Sequence, residues 1–243
     1  SEFTKIGVRI HKCYSSKKGF SFQVVRSLLN ILRSNFDKAI AGLHAPSIYL
    51  SLASLFFPNL KVTVCEFSSS FSKTSKIRKF LFYLSSLLAS NVVCNSYAEA
   101  ELMRNLPGRS NNLRTILNGY NIGDFEFIPS KYQESPIFVV VGRISYPKNG
   151  VNLFRALAIF LEEYGWCPKI IWAGRRDYDD LSVEMYEEML KVKNTSEKLN
   201  GSIEFVGEVS DISGLYHRAD GLLHFSLYEG LPNVICEAML FGC

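Results

Sequence analysis

Ile137–Leu157 reads IFVVVGRISYPKNGVNLFRAL, and this stretch decides the fold. Its apolar, mostly β-branched opening runs without a polar break up to Gly142, the pattern of a strand buried on both faces. Gly142 lets the backbone turn tightly, Arg143 and Lys148 follow, and from residue 150 the apolar positions recur at helical spacing. This is a strand–loop–helix unit whose loop carries two cations.

The same rhythm extends in both directions. Strands are expected at 38–43, 61–65, 91–94, 114–117, 137–142, 169–174, 202–207 and 221–225. Helices are expected at about 20–34, 46–57, 72–89, 96–105, 150–164, 180–198, 211–218 and 233–241. Continuous apolar strands alternating with helices predict an α/β protein with parallel sheets. The rhythm breaks once, at NGYNIGDFEFIPSKYQESP (118–136), which is rich in turn residues and reads as a linker. Two Rossmann-like domains are therefore expected, 1–130 and 131–243, with no internal repeat.

The 243 residues are 47% hydrophobic and 21% charged, enough for packed cores and contrary to disorder. The net charge of +4 hides an asymmetry: residues 1–130 carry +9 and residues 131–243 carry −5. A basic first half suits an anionic partner. The six cysteines form no C-x-x-C pair and read as reduced thiols, which with the lack of a signal-peptide pattern points to the cytoplasm. No apolar run reaches the roughly 20 residues of a membrane span. No closely spaced His/Cys set suggests a metal, and DYDD at 177–180 reads as the acidic start of a helix.

In open α/β sheets ligands gather beyond the carboxyl ends of strands. Three strand ends in the second half carry suitable chemistry. At the first, Arg143 offers a planar fork to phosphate oxygens and Lys148 a point charge; spacing alone also allows two solvated cations in a loop. At the second, FVGEVSDISGLYHRAD, Ser210 or Asp211 is placed to cap a helix, leaving the backbone at Glu208–Val209 to meet a base edge. At the third, HFSLYEGLPNVICEAM (224–239), Pro232 suits the first turn of a helix whose start favours an anion. Glu229 precedes that helix and Glu237 lies inside it, so a phosphate there would have a carboxylate on each side. Arg143 and Lys148 are expected to converge on this helix start.

GRISYPKNGVNLF, FVGEV and HFSLYEGLPNVICEAM, in this order and at these distances, resemble the donor half of retaining GT-B glycosyltransferases, in particular the large family four with its E-x7-E signature. The likeness continues backward through VVCNSYAEAELM and LNGYNIGDFEF. It implies a GT-B fold and a donor that is a nucleotide-diphosphate sugar, with no metal or other cofactor. It implies that Arg143 and Lys148 bind the diphosphate, that Glu229 holds sugar hydroxyls and acts at the reacting centre, and that Glu237 holds the ribose. Gly230, Leu231, Asn233 and Val234 would support phosphate or sugar, and Val209 the base. The partners implied are the nucleotide sugar and a glycan or lipid-linked acceptor, with peripheral membrane contact and no nucleic acid.

The first half departs from the family pattern. The Gly-rich loop that approaches donor phosphates is missing, and Cys65 falls where His often stands; Glu66, next to it, is the candidate catalytic residue there. His44 reads as a packed or capping histidine. Both domains are expected to be incomplete, lacking the family's first strand or two and its last strand and helices. In SKTSKIRKFLFYLSSLLAS, Ile77, Phe80, Leu81, Leu84 and Leu88 share a helical face behind Lys73, Lys76, Arg78 and Lys79. The expected role is core packing, with docking on an anionic membrane as the alternative. Two other functions stay open: a nucleotide-sugar epimerase of the same fold, and a non-catalytic binding or assembly subunit.

Overall fold

The computed structural model describes residues 9–11, 20–34, 36–66, 76–106, 112–120 and 135–243. Lys73 lies outside them, as does most of the expected linker. The chain divides into two compact units, Ser1–Leu117 and Asn118–Cys243. The expected boundary near 130 falls later than this division. Asn118 and Tyr120 go with the second unit because both hydrogen-bond to the Asn233 side chain, at 2.5 and 3.0 Å.

The first unit holds strands β1 (Lys38–Gly42), β2 (Lys61–Glu66), β3 (Asn91–Cys94) and β4 (Leu113–Thr115). All pair in parallel, in the order β1-β2-β3-β4. Helix α1 (Phe22–Leu32) precedes them, and between them run α2 (His44–Ser54), α3 (Lys76–Leu88) and α4 (Tyr97–Arg104). Val62, Val64, Val92 and Cys94 are fully buried and pack with Ala53, Phe82 and Met103 from the helices. Ser96 caps α4 by accepting from Glu99 N at 3.2 Å.

Helix α3 is turned against its sequence pattern. Phe82, Ser85 and Ser86 face inward, whereas Ile77, Phe80, Leu81, Leu84 and Leu88 are exposed, Ile77 by 72%. The reason lies in α2, which presents the fully buried Ser51. Ser51 Oγ donates to the carbonyl of Ser85 at 3.0 Å. Small hydroxyl side chains on both helices allow a close crossing that leucines would hold apart, so the larger residues are left outside.

The second unit holds β5 (Ile137–Val141), β6 (Lys169–Ala173), β7 (Ile203–Gly207) and β8 (Gly221–Leu222). They form a parallel sheet in the order β7-β6-β5-β8. Its helices are α5 (Gly150–Tyr164), α6 (Asp180–Lys193), α7 (Glu197–Ser202), α8 (Ser213–Tyr216) and α9 (Asn233–Leu240). One face buries Leu153, Phe154 and Leu157 of α5 with Trp172, Met185 and Met189; the other buries Leu215, Tyr216, Ala238 and Phe241. Gly165, at φ 75°, stops α5. The single helix expected at 180–198 is two, because Ser196 starts a new one by accepting from Leu199 N. The expected strand 221–225 is cut short: Phe225 O accepts from Asn149 Nδ2 and Leu227 N donates to Pro147 O, which pulls the chain off the sheet.

Two glycines shape the strand ends. A Cβ on Gly174 would lie 2.0 Å from Gly142 O, and a Cβ on Gly142 would lie 2.9 Å from Lys148 Cε. Both backbones have positive φ. The two loops thus cross in contact, and the lysine folds back over the end of β5.

Candidate functional site

The order β7-β6-β5-β8 reverses direction between β5 and β8, so the crevice beyond their carboxyl ends is the place a doubly wound sheet offers a ligand. The loop after β5 contains a 3-10 turn, Tyr146–Lys148. Lys148 Nζ donates to Glu229 Oε1, in the loop after β8, at 2.6 Å. The pair joins two stretches far apart in sequence across the switch point, and both side chains keep partial exposure.

Burial alone would push the Glu229 carboxyl up, but the hydrogen bond and charge of Lys148 outweigh it and hold the group below its ordinary range. His224 Nε2 lies 3.8 Å from the same Glu229 oxygen. Burial, with the charge of Lys148, holds this imidazole below its ordinary value, so it is neutral near pH 7.

Arg143 is placed differently. Its guanidinium pairs with Asp177 in the loop after β6 and is largely exposed. The structure therefore pairs Lys148 with Glu229 and Arg143 with Asp177. It also divides DYDD. Asp179 caps α6 by accepting from Ser182 N, and Asp180 opens the helix. Asp177 is instead fastened to the β5 loop, its N–H donating to Ile144 O.

At α9, Pro232 is the residue before the helix, with ψ 102°, and Asn233 is its first residue. The first turn has neither a side-chain cap nor an acid, which leaves its N–H groups to other partners. Gly230, Leu231 and Val234 are half-buried around this start. Glu237, on the second turn, accepts from the Tyr216 hydroxyl at 3.2 Å. Tyr120, beside Cys236 and Glu237, is pushed up to about 12 by burial, the Cys236 thiol and the Glu237 charge. The Val209 side chain packs into the core, so its backbone is the part a ligand would meet. Of the two expected caps, Asp211 accepts from Gly214 N at 3.2 Å just before α8, although the residue that immediately precedes the helix is Ile212.

In the first unit Glu66 is wholly buried, 2.6 Å from His44 Nε2. His44 also packs on Phe82, at 4.6 Å between ring centroids. Glu99 is buried nearby, and burial, reinforced by the Glu66 charge and opposed by His44, pushes it up to about 7. Glu66 is thus an interior carboxylate, and of the pair His44 is the side chain with exposure, 15%. Sequence reasoning missed His224, Tyr216, Tyr120 and Asp177, none of which has a local pattern beyond its strand or helix. The NGY at 118–120 reads in sequence as the turn-rich start of a linker that also resembles the family, and only the fold brings it to Asn233.

Two parallel α/β units, the second with a Lys–Glu pair at its switch point and another glutamate in the next helix, define a protein of the GT-B class. A crystal structure of Anabaena HepE in complex with UDP-glucose shares this fold, with a TM-score of 0.74 and 20% identity, over 90% of this chain and 61% of that one. The family model for glycosyl transferases group 1 matches residues 122–243, and the chain belongs to that family. An uncharacterized glycosyltransferase of Haemophilus influenzae is 26% identical over 232 residues, which is 94% of this chain and 62% of that protein. A Campylobacter jejuni GalNAc-alpha-(1->4)-GalNAc-alpha-(1->3)-diNAcBac-PP-undecaprenol alpha-1,4-N-acetyl-D-galactosaminyltransferase is 26% identical over 130 residues, 53% of this chain and 33% of that protein. The chain thus spans less than two thirds of each of these relatives.

Proposed function

We propose that the protein moves a sugar from a nucleotide-diphosphate donor to a glycan or lipid-linked acceptor, with retention of configuration. The observation that carries this is the Lys148–Glu229 pair at the switch point, with Glu237 on the helix that follows. In this reading the diphosphate takes Lys148 and Arg143 from their carboxylate partners. Leaving-group charge then develops against two cations and the uncapped start of α9, which stabilises it electrostatically. Glu229, released from Lys148, grips donor-sugar hydroxyls. Glu237 holds the ribose, and Gly230, Leu231, Asn233 and Val234 line the path between. The backbone at Val209 meets the base. The chemistry calls for no metal or other cofactor. The first unit serves the acceptor, and Glu66 acts there through His44.

The Campylobacter relative's name specifies a PP-undecaprenol acceptor, and a lipid-linked diphosphate suits a first half with a net charge of +9. Peripheral contact with the cytoplasmic membrane face follows. Its surface is α3, with its exposed apolar side chains, in a run from 67 to 98 that holds four cations and no acid. The protein should sediment with phosphatidylglycerol vesicles and not with phosphatidylcholine vesicles, and Phe80→Asp with Leu84→Asp should abolish this; equal binding to both lipids argues against it. The activity is tested by incubating the protein with labelled nucleotide sugars and membrane extract. Label transferred to the extract supports the proposal. An altered free sugar nucleotide indicates an epimerase, and no change a binding subunit.

A further inference from the structure

The donor site contains a carboxylate whose direction is set by a buried neighbour. Glu237 Oε2 accepts from the Tyr216 hydroxyl at 3.2 Å, and the same hydroxyl lies 3.3 Å from Val234 O, on the first turn of the helix that carries Glu237. Tyr216 itself has no freedom. It is 1% exposed, closes α8, and stacks on Phe241 with ring centroids 5.4 Å apart and planes at 24°. A hydroxyl has one proton, and an ionised carboxylate is a stronger acceptor than an amide carbonyl. The proton therefore goes to Glu237, and the carboxylate is tied to a rigid point of the core. Without that tie a glutamate on a helix surface would sample several rotamers.

The tie leaves Oε1 and the second lone pair of Oε2 as acceptors. A carboxylate presenting acceptors in one orientation suits a pair of adjacent hydroxyl donors. It gains much less from one hydroxyl beside a methylene. We propose that Tyr216 is the positioning residue for Glu237, and that the pair restricts the donor to ribonucleoside diphosphates, excluding 2′-deoxyribonucleoside diphosphate donors. This rests on the assignment of Glu237 to the ribose. Burial, with the neighbouring Glu237 charge, pushes the Tyr216 phenol far above its ordinary range, so the donor proton stays in place at any working pH.

The test measures equilibrium binding of UDP, dUDP, GDP and dGDP to the protein and to Tyr216→Phe and Glu237→Gln, with thermal unfolding as the control for folding. The wild type should bind the ribonucleotide of its preferred base roughly 10-fold or more tighter than the deoxy analogue, as befits a lost hydrogen bond to a charged group. In Tyr216→Phe the ribonucleotide should weaken and the deoxy analogue should not, so that the ratio falls toward unity. A purely structural tyrosine would weaken both ligands together or neither, and either result overturns the inference. If Glu237→Gln removes the ratio and Tyr216→Phe keeps it, only the positioning role fails. If the wild type shows no preference, or Glu237→Gln keeps the preference, the ribose assignment fails and takes the inference with it. Absence of binding to all four ligands refutes the donor site as a whole.

Discussion

Lys148, Glu229 and His224 form a small electrostatic unit in which one glutamate oxygen faces two nitrogens. In the proposed reading the ion pair gives the two glutamates different roles. In Glu229→Gln, Lys148 loses its carboxylate, so a diphosphate no longer competes for the cation. Affinity for UDP or GDP should then hold or rise a few-fold, while turnover falls. In Glu237→Gln, nucleotide affinity should fall roughly 10- to 150-fold, which corresponds to about 1.5–3 kcal/mol for a charge-assisted hydrogen bond. Calorimetric titration of both variants, alongside kcat, checks this. Equal weakening of the nucleoside diphosphate in both would contradict the division.

At the level of elements, the site depends on how two loops cross. Gly174 follows β6 with φ 153°, and its Cα approaches the Gly142 carbonyl too closely for any side chain. Trp172 Nε1 donates to that same carbonyl at 2.9 Å, so the contact is locked from the core side. Gly174→Ala should therefore destabilise the protein by on the order of 3 kcal/mol, combining a backbone clash with a disfavoured φ. Because Gly142 is also where Lys148 folds back, nucleotide binding should weaken in the same variant. Urea unfolding together with UDP titration measures both. A variant as stable as the parent would mean that the crossing is looser than the structure shows.

Over the whole molecule, the two units are expected to respond to acid in opposite directions. In the first, Glu99 keeps its proton up to about pH 7 when folded, against 4.5 for the ordinary group. Between these values the folded unit holds a proton that the unfolded chain has lost, so stability falls as pH rises through the window and is level above it. In the second, His224 and Glu229 are both held below their ordinary values. There the unfolded chain binds more protons, so stability is present at neutral pH and is lost as pH falls below the ordinary histidine range and then through the carboxylate range. Thermal melts near pH 5 and pH 7.5 should show the first unit's transition moving down with pH and the second unit's moving up. Glu99→Gln, which copies the protonated acid, should flatten the first trend alone. A first-unit transition that ignores pH, or a trend unchanged in the variant, would refute the role of Glu99.

The order of strands and helices and the parallel pairing were legible in the sequence, because each depends on residues within one turn or one strand of each other, and the E-x7-E segment was legible as a family resemblance. An uninterrupted apolar strand must be covered on both faces, and a glycine before two cations marks where it ends. Glu229, Glu237 and Lys148 stood out through the family resemblance of the segments that hold them, since spacing alone also allowed solvated cations in a loop. Their partners did not. That Lys148 meets Glu229, that Arg143 meets Asp177, and that Tyr216 holds Glu237 follows from the order β7-β6-β5-β8, which sets loops side by side irrespective of their distance along the chain. Helix α3 shows the same limit. Its periodicity revealed an apolar face, but which face turned inward was decided by the contact of Ser51 on α2 with Ser85. Periodicity records what a helix offers, and packing against a particular neighbour decides which part of the offer is buried.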